Sequence, residues 1–108
     1  MTLAQSPAPP YWAVIFTSQR TDGDQGYAAM AERMEALAKE QPGFLGLEHA
    51  GDASGSITVS YWRAPEDITA WKAQVEHREA QRLGRETWYA RFQLRVCKVE
   101  RAYGFERT

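Results

Sequence analysis

Residues 11–18, YWAVIFTS, open with six apolar residues in a row and no alternation. A short run of this kind, rich in β-branched and aromatic residues, fits a strand covered on both faces. The chain has 108 residues, room for one domain. Such a length buries roughly 65% of its unfolded surface, enough for one core. A strand with two covered faces is therefore the fixed point around which the other elements must arrange themselves.

Those elements follow in order. Residues 21–26 form a polar loop with two glycines, and Asp24 can cap the helix beyond it. Tyr27, Met30, Met34, Leu37 and Ala38 recur at helical spacing, with Glu32, Arg33, Glu35 and Lys39 on the other side. Pro42 ends that helix and Pro42-Gly43 marks a turn. Residues 44–50 read as a second strand, and 51–55, GDASG, as a hairpin loop. Ile57, Val59 and Tyr61 alternate with Ser56, Thr58 and Ser60, the pattern of a third strand. Pro65, Glu66 and Asp67 suit a helix start. Helical composition runs on to about residue 89, and residues 92–101 form a last strand with Phe92, Leu94 and Val96 on one face. The order βαββαβ predicts an α+β, ferredoxin-like fold: a four-stranded antiparallel sheet with the helices on one face. The predicted domain spans residues 11–105, after a disordered, proline-rich arm at 1–10.

The second helical region carries two different apolar stripes. Ile68, Trp71 and Val75 make the first. Further on, Arg78, Glu79, Arg82 and Glu86 must face water, which turns Ala73, His77, Ala80, Gln81, Gly84 and Trp88 inward. One straight helix cannot satisfy both, so a break is expected between Lys72 and Glu76, although no Pro or Gly explains it. The inward stripe is polar and thin where a sheet-covering helix normally carries Leu, Ile and Val. Unpaired buried polar groups cost about 1–3 kcal/mol each. The stripe therefore points to a cavity over the sheet lined by Trp71, His77, Gln81, Arg85 and Trp88. The same residues also fit a structural role: a hydrogen-bonded histidine, a core tryptophan, and an Arg85 paired with Glu48 or another carboxylate.

Composition removes several classes of function. Thirteen Lys and Arg against fourteen Asp and Glu give a net charge of −1, without the basic excess of a nucleic-acid binder. No apolar run approaches the roughly 18 residues of a membrane span. A single cysteine, Cys97, and two histidines leave little for a metal centre. Residues 1–10 lack the basic start and apolar stretch of a secretory signal, so a cytoplasmic protein is expected. The first strand is apolar on both sides, with Tyr11, Ala13 and Ile15 opposing Trp12, Val14 and Phe16. One set covers the helices. The other predicts a homodimer through the open sheet face.

IFTSQR (15–20), QPGFLG (41–46), ITVSYW (57–62), WKAQVEH (71–77), GRETWY (84–89) and LRVCKVERAYGF (94–105) together resemble the antibiotic biosynthesis monooxygenase family, over nearly the whole chain. The resemblance is greatest to small bacterial members. It implies a dimeric α+β barrel and oxygenation of a polyketide-like or quinol-like aromatic by O2, without metal, flavin or other cofactor. The haem-degrading branch is similar too, but there a Trp is followed ten residues later by an iron-binding His. Trp71 fits, whereas Gln81 stands in the histidine's place, and the first strand has no Asn.

A reaction without cofactor needs a base, a group to hold an oxyanion and a dry aromatic box. His77 is the inward side chain that titrates near neutral pH, hence the candidate base. Arg85 and Gln81 are candidates to steady the anion. Trp71, Trp88 and Tyr61 are candidates for substrate contact. The competing reading is a ligand-binding or regulatory dimer of the same fold that performs no chemistry.

Overall fold

The computed structural model describes residues 1–5 and 7–107; the Val75 side chain of the first stripe also lies outside what is described. The elements are β1 (Tyr11–Arg20), α1 (Tyr27–Lys39), β2 (Phe44–Gly51), β3 (Gly55–Trp62), α2 (Pro65–Ala73), α3 (Val75–Leu83), a π-helical turn (Gly84–Trp88) and β4 (Tyr89–Val99). The strands form one antiparallel sheet in the order β2-β3-β1-β4. This is the ferredoxin-like α+β arrangement. β1 occupies an interior position, between β3 and β4.

Register assigns the faces. Val14 lies opposite Ser60 on one side and Val96 on the other, and Phe16 opposite Thr58 and Leu94. These residues look toward the helices. Ile57, Val59 and Tyr61 therefore share the outer face with Tyr11, Ala13 and Ile15. The apolar set of β3 thus points away from the helices, and its hydroxyls point toward them. Trp62 explains the choice. It is fully buried on the helix side, and a one-residue slip would turn it outward.

Local signals account for the joints. The Asp24 carboxylate accepts the N–H groups of Gly26 (3.0 Å) and Ala28 (3.1 Å) at the start of α1. Gly43 adopts φ 80° in the turn before β2, and a side chain there would overlap Asp67 on α2. The expected break in the second helical region falls at Gln74, whose ψ of 135° is extended. No proline or glycine is needed, because the Gln74 side chain accepts the His77 N–H (2.9 Å) and caps α3. Ala73, expected on the inward stripe, is instead exposed: it ends α2 before the chain turns.

β4 begins at Tyr89, three residues before the expected start, because the π turn ends at Trp88 and β1 runs on to Arg20. The widened turn frees carbonyls that the end of β1 captures. Thr21 donates its hydroxyl to the Thr87 carbonyl (2.6 Å) and its backbone N–H to that of Trp88 (2.9 Å). Arg20 Nε also donates to the Trp88 carbonyl (3.3 Å).

On the outer face, Glu48 joins the N-terminal arm to the sheet. Its carboxylate accepts the Ala4 N–H (3.1 Å) and the Tyr61 hydroxyl (2.5 Å). A side chain at Gly46 would meet Ala4. Tyr11 and Ala13 are buried at this end, while Ile57 remains 53% exposed.

Gly84 gives a test of the packing. It is buried with ordinary helical φ (−59°), where alanine normally gains up to ~1 kcal/mol. A Cβ here would lie 2.8 Å from the Tyr89 ring, which Phe16, Tyr27 and Phe92 hold in place. Gly84→Ala should therefore destabilise by about 1–3 kcal/mol, measured by urea denaturation; a gain in stability would refute this packing.

Candidate functional site

Between the helices and the sheet lies a cavity of about 1020 Å3. Its floor comes from alternate residues of the four strands, including Val14, Leu47, Thr58 and Leu94. Its roof comes from α1, α2, α3 and the π turn. Trp71, His77, Gln81, Arg85 and Trp88 all line it. The cavity exists because α3 presents Ala80, Gln81 and His77 to the sheet where larger aliphatic side chains would fill the space.

One wall is a column of rings. Phe44 meets Trp62 edge-on (5.4 Å), Trp62 lies over Trp71 (6.3 Å, 26°), and Trp71 stacks on His77 (4.2 Å, 18°). The column crosses the break at Gln74, so the cap of α3 and the stack fix the same imidazole. Ring nitrogen Nδ1 of His77 is 2.9 Å from the Trp71 carbonyl. A carbonyl only accepts, so Nδ1 carries the proton and neutral His77 keeps its lone pair on Nε2. Burial pulls the imidazole below its ordinary value of 6.5; the Trp71 carbonyl opposes the shift and Lys72 adds to it. His77 is therefore uncharged at neutral pH.

At the other end, Trp88 is buried, donates Nε1–H to the Gln25 carbonyl (3.0 Å) and meets Tyr27 edge-on (5.7 Å). Tyr89 stands between Tyr27 and Phe16, and burial raises its phenol above the ordinary range. Arg85 is exposed at the rim and makes no ion pair among the described residues. Glu48, its suggested partner, is on the outer face. The outward residues behave as expected: Arg82 bridges Glu79 and Glu86 in solvent.

Tyr61 is not part of this constellation. It lies on the opposite face of the sheet, edge-on to Tyr11 (5.8 Å), with its hydroxyl on Glu48. Burial first, and the carboxylate second, hold its phenol well above the ordinary range. The strand alternation placed it with Ile57 and Val59, and that set faces outward.

Sequence reasoning missed His49, Thr58, Ser60 and Trp62. The first three line the cavity; Trp62 donates Nε1–H to Ser60 Oγ (2.9 Å). The signal available was the Ser56-Thr58-Ser60 alternation, a hydroxyl stripe that a solvent face also shows.

No family model matches the chain. The uncharacterised protein YqjZ of Bacillus subtilis is 47% identical to it over 105 residues, 96% of this chain and 92% of that protein. The chain belongs to the YqjZ family. Solved structures extend the comparison by fold alone. SnoaB of Streptomyces nogalater, described as a cofactor-independent oxygenase, superimposes with a TM-score of 0.69 at 10% identity, over 92% of this chain and all of SnoaB. A candidate antibiotic biosynthesis monooxygenase of Nitrosomonas europaea gives 0.70 at 13% identity, over 92% of this chain and 96% of that one. This YqjZ-family chain thus has the fold of antibiotic biosynthesis monooxygenase-type proteins, and no helix long and apolar enough to cross a membrane among its described residues.

The neutral imidazole gives a pH test. Unfolded, His77 binds its proton near 6.5, and folded only at lower pH. Below 6.5 the unfolded chain holds more protons, so stability falls as the pH drops through that window. His77→Gln should show a smaller loss of stability than the wild type between about pH 7.5 and 5.5. Equal losses, measured by urea denaturation at both pH values, would show that the ring is not held neutral.

Proposed function

We propose that the chain is a cofactor-independent monooxygenase, acting on a small aromatic substrate of polyketide or quinol type. The observation that carries this reading is His77: a neutral imidazole, pinned at Nδ1, stacked on Trp71, at the wall of a large aromatic cavity. Its Nε2 is suited to take a proton from a phenol or an activated ring carbon. The Gln81 amide and the Arg85 guanidinium would stabilise the resulting anion. Trp71 and Trp88 would hold the ring and keep water away.

The substrate anion then supplies the electrons. O2 adds at the ring carbon ortho or para to the oxyanion, and the hydroperoxide so formed loses water. One oxygen atom stays as a carbonyl and the other leaves in water with the two hydrogens lost from the ring system. No external reductant is consumed. The fold shared with SnoaB supports the reaction class. We also propose a cytoplasmic homodimer through the outer sheet face, where Ile15, Ile57 and Val59 are incompletely covered.

The test is oxygen uptake with a panel of anthrones and hydroxynaphthalenes. His77→Ala should lower kcat by about 10²-fold or more, while the dissociation constant of the same aromatic, measured by calorimetry, rises by no more than about tenfold, the loss of one hydrogen bond. A variant with wild-type turnover would remove His77 as the base. Tight binding with no oxygen uptake by any aromatic would make the protein a ligand-binding dimer.

A further inference from the structure

A second imidazole lines the cavity at the exposed β2 edge of its floor. His49 on β2 lies directly across from Thr58 on β3, and its Nδ1 is 2.7 Å from the Thr58 hydroxyl. Both residues line the cavity, with Ser60 and Leu47 beside them. His49 Nε2 has no partner among the described residues.

The two imidazoles differ in what they can offer. His77 is bound to a carbonyl, so in its neutral form Nε2 is an acceptor only. His49 is bound to a hydroxyl, which donates as readily as it accepts. When Thr58 donates to Nδ1, Nε2 carries the proton and donates. When Nδ1 donates to Thr58, Nε2 accepts. The pair can therefore hold a phenol and, after a tautomer change and a hydroxyl rotation, a carbonyl at the same place.

We propose that His49, held by Thr58, is the second polar anchor of the cavity. The ligand it selects is an aromatic ring with hydroxyl oxygens at two edges, a quinol, rather than a ring with one, because His77 Nε2 accepts and does not hold a carbonyl. This deepens the monooxygenase reading and rests on it for the occupancy of the cavity. His77 meets one oxygen from the helix side and His49 the other from the sheet. A substrate whose hydroxyl becomes a carbonyl keeps its floor contact in both states.

The experiment is anaerobic calorimetry on the full chain with three probes: 1-naphthol, 1,4-dihydroxynaphthalene and 2,3-dimethyl-1,4-naphthoquinone. The wild type should bind 1,4-dihydroxynaphthalene at least about tenfold more tightly than 1-naphthol, and more tightly than the quinone, whose second carbonyl gains nothing from the acceptor Nε2 of His77. His49→Phe, which keeps the ring area and removes the nitrogens, should bring 1,4-dihydroxynaphthalene to the affinity of 1-naphthol, weaken the quinone and leave 1-naphthol within about threefold of wild type. Thr58→Val should reduce the preference and spare 1-naphthol; circular dichroism of both variants confirms the fold. An unchanged preference in the two variants, or equal binding of 1-naphthol and 1,4-dihydroxynaphthalene by the wild type, overturns the anchor and leaves the cavity reading intact. A wild type that binds none of the three overturns both.

Discussion

The stack of Trp62, Trp71 and His77 is the contact on which the site depends. Trp62 is fully buried at the end of β3, Trp71 is near the end of α2, and His77 is in the first turn of α3. Three elements meet in one column of rings. Packing of the half-buried Trp71 on the buried Trp62 anchors α2 to the sheet, and the cap from Gln74 then sets the angle at which α3 leaves. That angle carries Ala80, Gln81 and Arg85 over the sheet without closing on it. The base candidate is thus part of the packing that opens the cavity. A loosened stack would change the imidazole's environment and the roof together.

The cavity also depends on the π turn. Its buried Gly84 lets the Tyr89 ring approach the backbone, and its carbonyls are held by Thr21 and Arg20 at the end of β1. Trp88 is tied through its indole N–H to the loop before α1. One end of the space is therefore fixed by hydrogen bonds to strand and loop, the other by stacked rings. Arg33 on α1 pairs with Glu76 on α3 (2.6 Å) across the roof. Both side chains are substantially exposed, so this pair contributes little to stability.

Much of this was legible in the sequence, for identifiable reasons. A run apolar on both sides marked YWAVIFTS as a strand covered on both faces, and the element order βαββαβ gave the sheet. Two stripes that could not share a helix located the break to within a few residues. The cause of the break was not legible, because glutamine caps a helix by a side-chain geometry that periodicity does not encode. The two stripes also pointed to five of the residues that line the cavity: Trp71, His77, Gln81, Arg85 and Trp88. The face of β3 was the main gap: alternation tells which residues share a side and not which side the helices take. Trp62, a single buried indole, decided that question, turning Tyr61 outward and Thr58 and Ser60 inward. With it went His49, whose place is readable only once β2 is paired with β3.

The central claim is that the space under α3 is open and receives an aromatic ring. Ala80 lines it from the roof. Replacing Ala80 by Phe puts a ring where the ligand would lie, and thermal denaturation with calorimetric titration of 1-naphthol measures the result. An open cavity predicts a Tm within about 2 °C of wild type and loss of naphthol binding. A closed, filled interior predicts instead an overpacking loss of about 1–3 kcal/mol, with naphthol binding absent from the wild type as well, and that result would contradict the account.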